Sequence, residues 1–375
     1  MRNYENTLAP NQPIIQVHIA DLHFGSVDPE QEYKILSEQF LREIERIPFN
    51  ILAVDGDLFH KKYMANSDPI YYAMKFIHEC VALCINKHAT MILIGGTKSH
   101  DADQLKLFKN YEEFTNVDFR LVEQTSFIKA FGLKILCIPE EYGKGSDYYF
   151  EFLSQDYDCC FFHGTIVGSI YGADKPDLDS QKYPIFDINA FCSCKGPIIG
   201  GHVHKAMCLN NDIYYISNPI RFQHGEEEEK GYGIVVMNPN KGYYYRFMPI
   251  KSYRYDTIHI KTLATHDPNE IIKYIDQIKS IGIDHIRLDF TGYENERNTQ
   301  LIIQHFGYDP AVTFKTDKKS VEVNTTSNIE NKYADYMENI LDPKMDEYKK
   351  VVYFINKSEG KEYITVDKLK EILKN

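Results

Sequence analysis

Apolar positions fall along the chain in two rhythms, and the switches between them lay out the elements. Residues 13–20 (PIIQVHIA) alternate, the period of a half-buried strand. Over residues 29–47 the side chains Tyr33, Leu36, Phe40, Ile44 and Ile47 recur at spacings that keep one helix face apolar. Residues 51–54 (ILAV) are a continuous, partly β-branched run, which predicts a buried strand. A helix over residues 69–87, with Ala73, Ile77, Cys80, Val81 and Cys84 on one side, leads to a third strand at residues 90–94. Strand and helix in alternation predict a sheet with helical crossovers, and three strand ends gather on one of its edges.

Shorter apolar segments follow at residues 127–130 and 133–139, then at 158–164 (DCCFFHG) and 197–204 (PIIGGHVH), the last two each delivering histidine at the end of an apolar run. Residues 213–217, 231–237 and 242–248 read as closing antiparallel strands. From about residue 255 the rhythm becomes strand, helix (267–278), strand (285–289), helix (296–306), strand, which predicts a second, small α/β domain. Residues 316–328 (TDKKSVEVNTTSN) are polar and read as a linker. Beyond it Tyr333, Tyr336, Met337, Ile340 and Leu341, then Tyr348, Val351, Val352 and Ile355, then Val366, Leu369, Ile372 and Leu373 recur at helical spacing. The expected division is therefore 1–252, 253–315 and 316–375.

With 375 residues, 43% hydrophobic and 26% charged, the chain is no disorder-dominated protein. Its opening, MRNYENTLAPNQP, lacks the order of a signal peptide, and no apolar run reaches membrane-spanning length, so a cytoplasmic protein without a membrane partner is expected. The eight cysteines lie mostly in apolar or strand-like stretches, as reduced core thiols do; Cys192-x-Cys194 has no second close pair at zinc-finger spacing. Net charge is 42 − 54 = −12. Phosphate contact needs clustered Lys and Arg, so any role on DNA requires metal ions or a partner.

The candidate chemistry centres on residues 53–60 (AVDGDLFH), where a strand runs into Asp55-Gly56-Asp57 and Gly56 permits a sharp turn. Alone, Asp-Gly-Asp is ordinary turn chemistry. Asp21 and His23 of Asp-Leu-His, Asp57, His163, and His202 and His204 of Gly-His-Val-His all stand at predicted strand ends. Mixed carboxylate and imidazole donors suit Mn, Fe, Zn or Mg, and these residues suffice for two ions sharing a carboxylate. Two ions clamp a phosphate, acidify a water and stabilise charge on the attacking and leaving oxygens, so phosphoester hydrolysis is the natural outcome.

The order D-x-H, GD, G…HD, H, GHxH resembles the calcineurin-like metallophosphoesterases over about residues 14–250. Within them GDLFH, the Ser-Asn-Pro at 217–219 and Lys230-Gly231 resemble the SbcD-type recombination and repair nucleases and their phage relatives. The resemblance implies an α/β fold: a four-layered β-sandwich flanked by helices, a small α/β capping domain and a helical C-terminal tail. It implies that Asp21, His23 and His204 hold one ion, His163 and His202 the other, and that Asp57 bridges them. His100, with Asp101 behind it, would act near the leaving group, and His60 beside the phosphate path. The implied cofactors are two divalent ions, Mn²⁺ ahead of Mg²⁺. The implied partners are DNA and an SbcC-like SMC-family ATPase held by the C-terminal helices, with room for a homodimer; in a phage protein the location would be the host cytoplasm.

One motif departs from the pattern. The family has Gly-Asn-His followed by Asp or Glu, whereas this chain has Gly96-Thr97-Lys98-Ser99-His100-Asp101, without the Asn and with two residues added. Thr97 or Ser99 could offer a neutral oxygen, Lys98 could meet substrate phosphate, or the segment could be a capping turn with Ser99 or Asp101 as cap. Loss of the amide predicts a more weakly held second ion. Two other readings compete: a generic phosphatase and a non-catalytic scaffold of the same fold. Phosphoprotein phosphatases of this fold carry Arg close after GD, where this chain has Phe59-His60-Lys61-Lys62.

Overall fold

β1 (Ile14–Ile19) leads into α1 (Pro29–Leu36), which starts where Asp28 accepts from the Gln31 N–H and Pro29 fills the first helical position without forfeiting a bond. One π-type turn (Ser37–Leu41) joins it to α2 (Arg42–Glu45), and Leu36, Phe40 and Ile44 stay buried throughout, as their spacing predicts. β2 (Ile51–Asp55), α3 (Asp68–Lys87) and β3 (Thr90–Ile94) repeat the crossover. A 3-10 segment (Ala102–Glu113) precedes β4 (Asp118–Val122), β5 (Ser126–Ala130) and β6 (Leu133–Ile138). Then come α4 (Ser146–Leu153), β7 (Cys159–His163), the two-residue strands β8 (Thr165–Ile166) and β9 (Ile185–Phe186), and β10 (Ile198–Gly201). β11 (Met207–Leu209), β12 (Ile213–Tyr215), β13 (Lys230–Asn238) and β14 (Gly242–Ile250) complete this part. The computed structural model describes residues 12–169, 175–226, 228–238 and 242–316; the opening segment, the polar linker past residue 316 and the three helical stretches read after it lie outside the described residues.

The strands form two six-stranded mixed sheets, ordered β14-β13-β1-β2-β3-β4 and β11-β12-β10-β7-β6-β5. Because side chains alternate along a strand, each apolar run feeds two cores. Ile51 and Ala53 of β2, Ile92 and Ile94 of β3, Ile135 and Cys137 of β6, and Cys159 and Phe161 of β7 share one core between the sheets. Leu52, Val54, Met91 and Leu93 instead pack with Phe40, Ile44, Phe76 and Ile77 of the helices. On the second sheet Leu136, Ile138, Cys160 and Phe162 pack with Tyr149 and Leu153 of α4. Continuous burial on both faces is why these strands read as unbroken apolar runs.

One strand differs from expectation. β13 and β14 are antiparallel as read, but β12 runs parallel to β10, pairing Ile198 with Ile213. The short strand β11 reverses the chain first and pairs antiparallel with β12, so the direction is restored. β4 was also missed, although Val117, Phe119 and Leu121 alternate there with Asp118 and Arg120; Asp118 is buried, accepts from the Thr90 hydroxyl of β3 at 2.9 Å and pairs with Arg120 at 2.7 Å.

The described residues divide into two compact units, the first drawn from those up to Asp256 with Ile278–Ile286, the second from Thr257–Gln277 and residues 287–316. From residue 255 on, β15 (Tyr255–His259), α5 (Pro268–Ser280), β16 (His285–Asp289), α6 (Glu296–Phe306) and β17 (Val312–Lys315) follow in the predicted rhythm, with sheet order β15-β16-β17. Ile271, Ile275 and Ile278 of α5 and Thr299, Ile302 and Phe306 of α6, spaced three or four residues apart, are the buried helix positions. No helix among the described residues is long and apolar enough to cross a membrane.

Candidate metal centre

Each of the six ligands nominated from the sequence stands at, or just past, the C-terminal end of a strand: Asp21 and His23 after β1, Asp57 after β2, His163 closing β7, His202 and His204 after β10. Asp21, His23, Asp57 and His202 have φ of 52°, 52°, 51° and 92°, in the left-handed region that a Cβ disfavours. Strain of this kind costs on the order of 1–3 kcal/mol per residue and persists only where the surroundings over-determine it. Glycine makes the close approaches: a Cβ on Gly56, itself at φ +91°, would stand 2.1 Å from His163 Nδ1, and one on Gly96 2.1 Å from the Asp57 nitrogen.

Asp57 Oδ2 is the hub, 3.6 Å from His23 Nε2, 3.4 Å from His163 Nε2 and 4.0 Å from His100 Nε2. On one side His23 Nε2 faces His204 Nε2 at 3.0 Å. On the other, Glu140 Oε2 lies 3.2 Å from His202 Nδ1 and 3.8 Å from His163 Nε2. Donor atoms sharing one ion at about 2.1 Å stand roughly 3–3.5 Å apart; the separations of 3.4, 3.0 and 3.2 Å fall in that range, as for donors converging on cations, and those of 3.6, 3.8 and 4.0 Å are wider. The sets Asp21–His23–His204, Asp21–Asp57–His163 and Glu140–His163–His202 each gather their donor atoms within 4.8 Å. The buried His163 Nε2, with no hydrogen-bond partner, is a costly arrangement that a divalent cation relieves. The donor chemistry thus fits two such ions.

A supporting layer aims the donors. His163 Nδ1 bonds the Asp55 carbonyl at 2.9 Å, which turns Nε2 toward the hub. Both Asp21 oxygens accept from the His202 N–H, at 2.9 and 3.0 Å. Glu226 Oε1 lies 3.7 Å from His204 Nδ1, while buried Lys230 donates to the His204 carbonyl (2.7 Å) and to Asn218 Oδ1 (2.7 Å). Ser217 Oγ also donates to the His204 carbonyl, at 3.1 Å. Ser-Asn-Pro and Lys-Gly therefore hold the His204 loop in place.

Electrostatics follow from this packing. Burial would raise the Asp57 carboxyl, but His163, His23 and His100 override it and hold it well below the usual range. For His163 burial disfavours the charged form, yet Asp57, Asp21 and Glu140 together push its pKa well above the ordinary value. His23 goes the other way: burial, reinforced by His204, His100 and His60, drives it well below, leaving a neutral imidazole.

A cleft of about 270 Å³ opens over the hub and is walled by the histidines, Phe222 and Glu226. His100 lines it, with Nδ1 bonded to the His60 carbonyl; the exposed His60 ring stands at its lip, 5.9 Å from the His23 and His100 rings. Asp101, named with these two from the sequence, does not line the cleft. It is buried and accepts from the Phe59 N–H (3.1 Å) and Gly96 N–H (2.8 Å), bracing the loops after β2 and β3. Standing just before the 3-10 segment, at its N-cap position, it makes no side-chain cap bond. Lys98 and Ser99 are exposed, whereas Thr97 donates its N–H to Asp57 Oδ1 (2.5 Å). Glu140 and Glu226 were missed from the sequence. Glu140 had the same signal as the others, a carboxylate just past an apolar run (Ile138-Pro139-Glu140), but no histidine near it in sequence. All eight thiols are free, and no cysteine belongs to a metal-capable group among the described residues.

No family model matches the chain. It is similar to a protein named "Putative phosphoesterase 244L" from Invertebrate iridescent virus 6, 23% identical over 280 residues that make up 68% of this chain and 91% of the relative. Among solved structures, one chain is similar along its whole length to 64% of this chain, at 12% identity and a TM-score of 0.40.

Proposed function

We propose that the chain is a phosphodiesterase dependent on two divalent cations, Mn²⁺ ahead of Mg²⁺, and that its substrate is DNA. The observation carrying this reading is Asp57 Oδ2, placed 3.6 and 3.4 Å from imidazole nitrogens of two separate donor sets. When bound, the ions supply Lewis-acid stabilisation of a phosphoryl group and an acidified water. The chain's own residues do the rest. Asp57 keeps the two donor sets in register, Asp55 and Glu226 hold imidazole orientation, and His100 donates a proton to the leaving oxygen at the cleft floor. His60 at the lip takes the phosphate path. The phosphoesterase name of the viral relative and the stacking of helices, two sheets and helices support the four-layered metallophosphoesterase sandwich. The division into a nuclease domain (1–252), a cap (253–315) and a partner-binding tail (316–375), with an SbcC-like ATPase supplying basic DNA surface, completes the proposal.

The −12 charge favours one second reading, a phosphoesterase for small substrates, since an acidic chain repels a polyanion. A metal-dependence assay separates them, using labelled single- and double-stranded DNA beside bis-p-nitrophenyl phosphate. Mn²⁺-dependent cleavage of DNA and diester is expected. Cleavage of the diester alone, with DNA untouched even when the ATPase is added, contradicts the nuclease reading.

A further inference from the structure

Of the two carboxylates at the centre that the sequence motifs did not announce, Glu140 is the one that faces His163 and His202. It rises from the exit of β6, where its N–H bonds the Gly95 carbonyl at 3.2 Å, so two strand ends from different sheets deliver it to the hub. Its orientation is set at both oxygens. Tyr142 donates to Oε1 at 2.8 Å, and the Thr97 hydroxyl lies 3.2 Å from Oε2 and equally 3.2 Å from Asp57 Oδ2. Oε2 faces His202 Nδ1 at 3.2 Å and the buried, unpartnered Nε2 of His163 at 3.8 Å. The position opposite His163 and His202 that a neutral amide was expected to fill is thus flanked by a carboxylate, with Thr97 as a clamp between two acids.

Resting on the two-cation reading above, we propose that Glu140 is a ligand of the second cation and replaces the missing asparagine. The donor sets then carry three carboxylates, Asp21, Asp57 and Glu140, against two in the amide pattern. An added charged oxygen favours hard, oxygen-seeking ions such as Mn²⁺ and Mg²⁺. It also reverses the expectation from the sequence: the second ion is held tightly. Thr97 and Ser99 are not needed as ligands, which accords with the exposure of Ser99.

The test is calorimetric Mn²⁺ titration of the full chain, with Mn²⁺ paramagnetic resonance counting bound ions, for wild type and Glu140→Gln. Gln keeps the length and a Tyr142 acceptor but not the charge. Wild type should bind two Mn²⁺, and Glu140→Gln should hold the first with unchanged affinity and the second on the order of 100-fold more weakly. Two ions bound by Glu140→Gln with wild-type affinities overturn the assignment while leaving the two-cation reading standing. A wild type that takes up no Mn²⁺ overturns both. Anomalous diffraction from Mn²⁺-loaded wild-type crystals decides the matter without any variant: a Glu140 oxygen about 2.2 Å from the second ion supports the assignment, and one beyond bonding distance overturns it.

Discussion

His100 and Asp101 are neighbours with different tasks, and the difference is testable. His100 Nε2 lies 4.0 Å from Asp57 Oδ2 on the cleft floor, a position from which it can hand a proton to a departing oxygen. General acid help is worth roughly 10²- to 10⁴-fold, so His100→Ala should lose turnover by that factor while calorimetry still finds both cations. Loss of the ions along with turnover would make His100 a ligand instead. Asp101 is placed behind. Burial, followed by the charge of Asp57, pushes its carboxyl up to about 7. A carboxyl raised above its unfolded value of about 3.9 keeps its proton longer in the folded chain. Its contribution to stability is full below about pH 4 and is lost as pH rises toward 7. In cation-free buffer the gap in thermal midpoint between wild type and Asp101→Asn should therefore narrow over that window; parallel curves would contradict it. Of the residues at the centre, those in Asp-x-His and Gly-His-x-His patterns were legible because two donors share one strand end. Glu140 was not, because its relevance depends on β6 lying beside β7 and on its exit meeting that of β3. No local pattern encodes that adjacency.

At the scale of elements, apolar runs buried on both faces were the readable part, and β2, β3, β6 and β7 stand within a residue or two of where the pattern put them. The 3-10 segment, α4 and β4 were missed; in α4 aromatic crowding hides the period, whereas β4 does alternate, with Val117, Phe119 and Leu121 against Asp118 and Arg120. The parallel run of β12 was invisible because β11 is only three residues long. The junctions between strands matter more than the strands. Gly56→Ala would place a Cβ 2.1 Å from His163 Nδ1 at φ +91°, combining strain with a clash. Gly132→Ala, at φ +81° with nothing within 4 Å, carries strain alone. Chemical denaturation should show the first variant less stable than the second by more than about 1 kcal/mol, and only the first should lose affinity for cations. Equal losses in stability and unchanged cation binding would mean that the glycine serves the turn and not the ring.

For the whole molecule the unsolved matter is charge. An acidic chain with net charge −12 that acts on DNA needs basic surface from elsewhere, which is the role the proposal gives to an ATPase partner. The same proposal gives that contact to the segment past residue 316, whose sequence carries three stretches of apolar residues at helical spacing, the pattern of helix-in-groove docking. Removing residues beyond Thr326 should leave hydrolysis of a small diester intact and abolish co-elution with the ATPase. A truncated chain that still co-elutes at full stoichiometry places the contact in another part of the protein. Everything else depends on the shared carboxylate. The most direct measurement is hydrolysis of bis-p-nitrophenyl phosphate by the full chain at saturating Mn²⁺, wild type against Asp57→Asn. Because Asp57 reaches both donor sets, the variant should fall to background; turnover at the wild-type rate would contradict a two-cation centre built on Asp57.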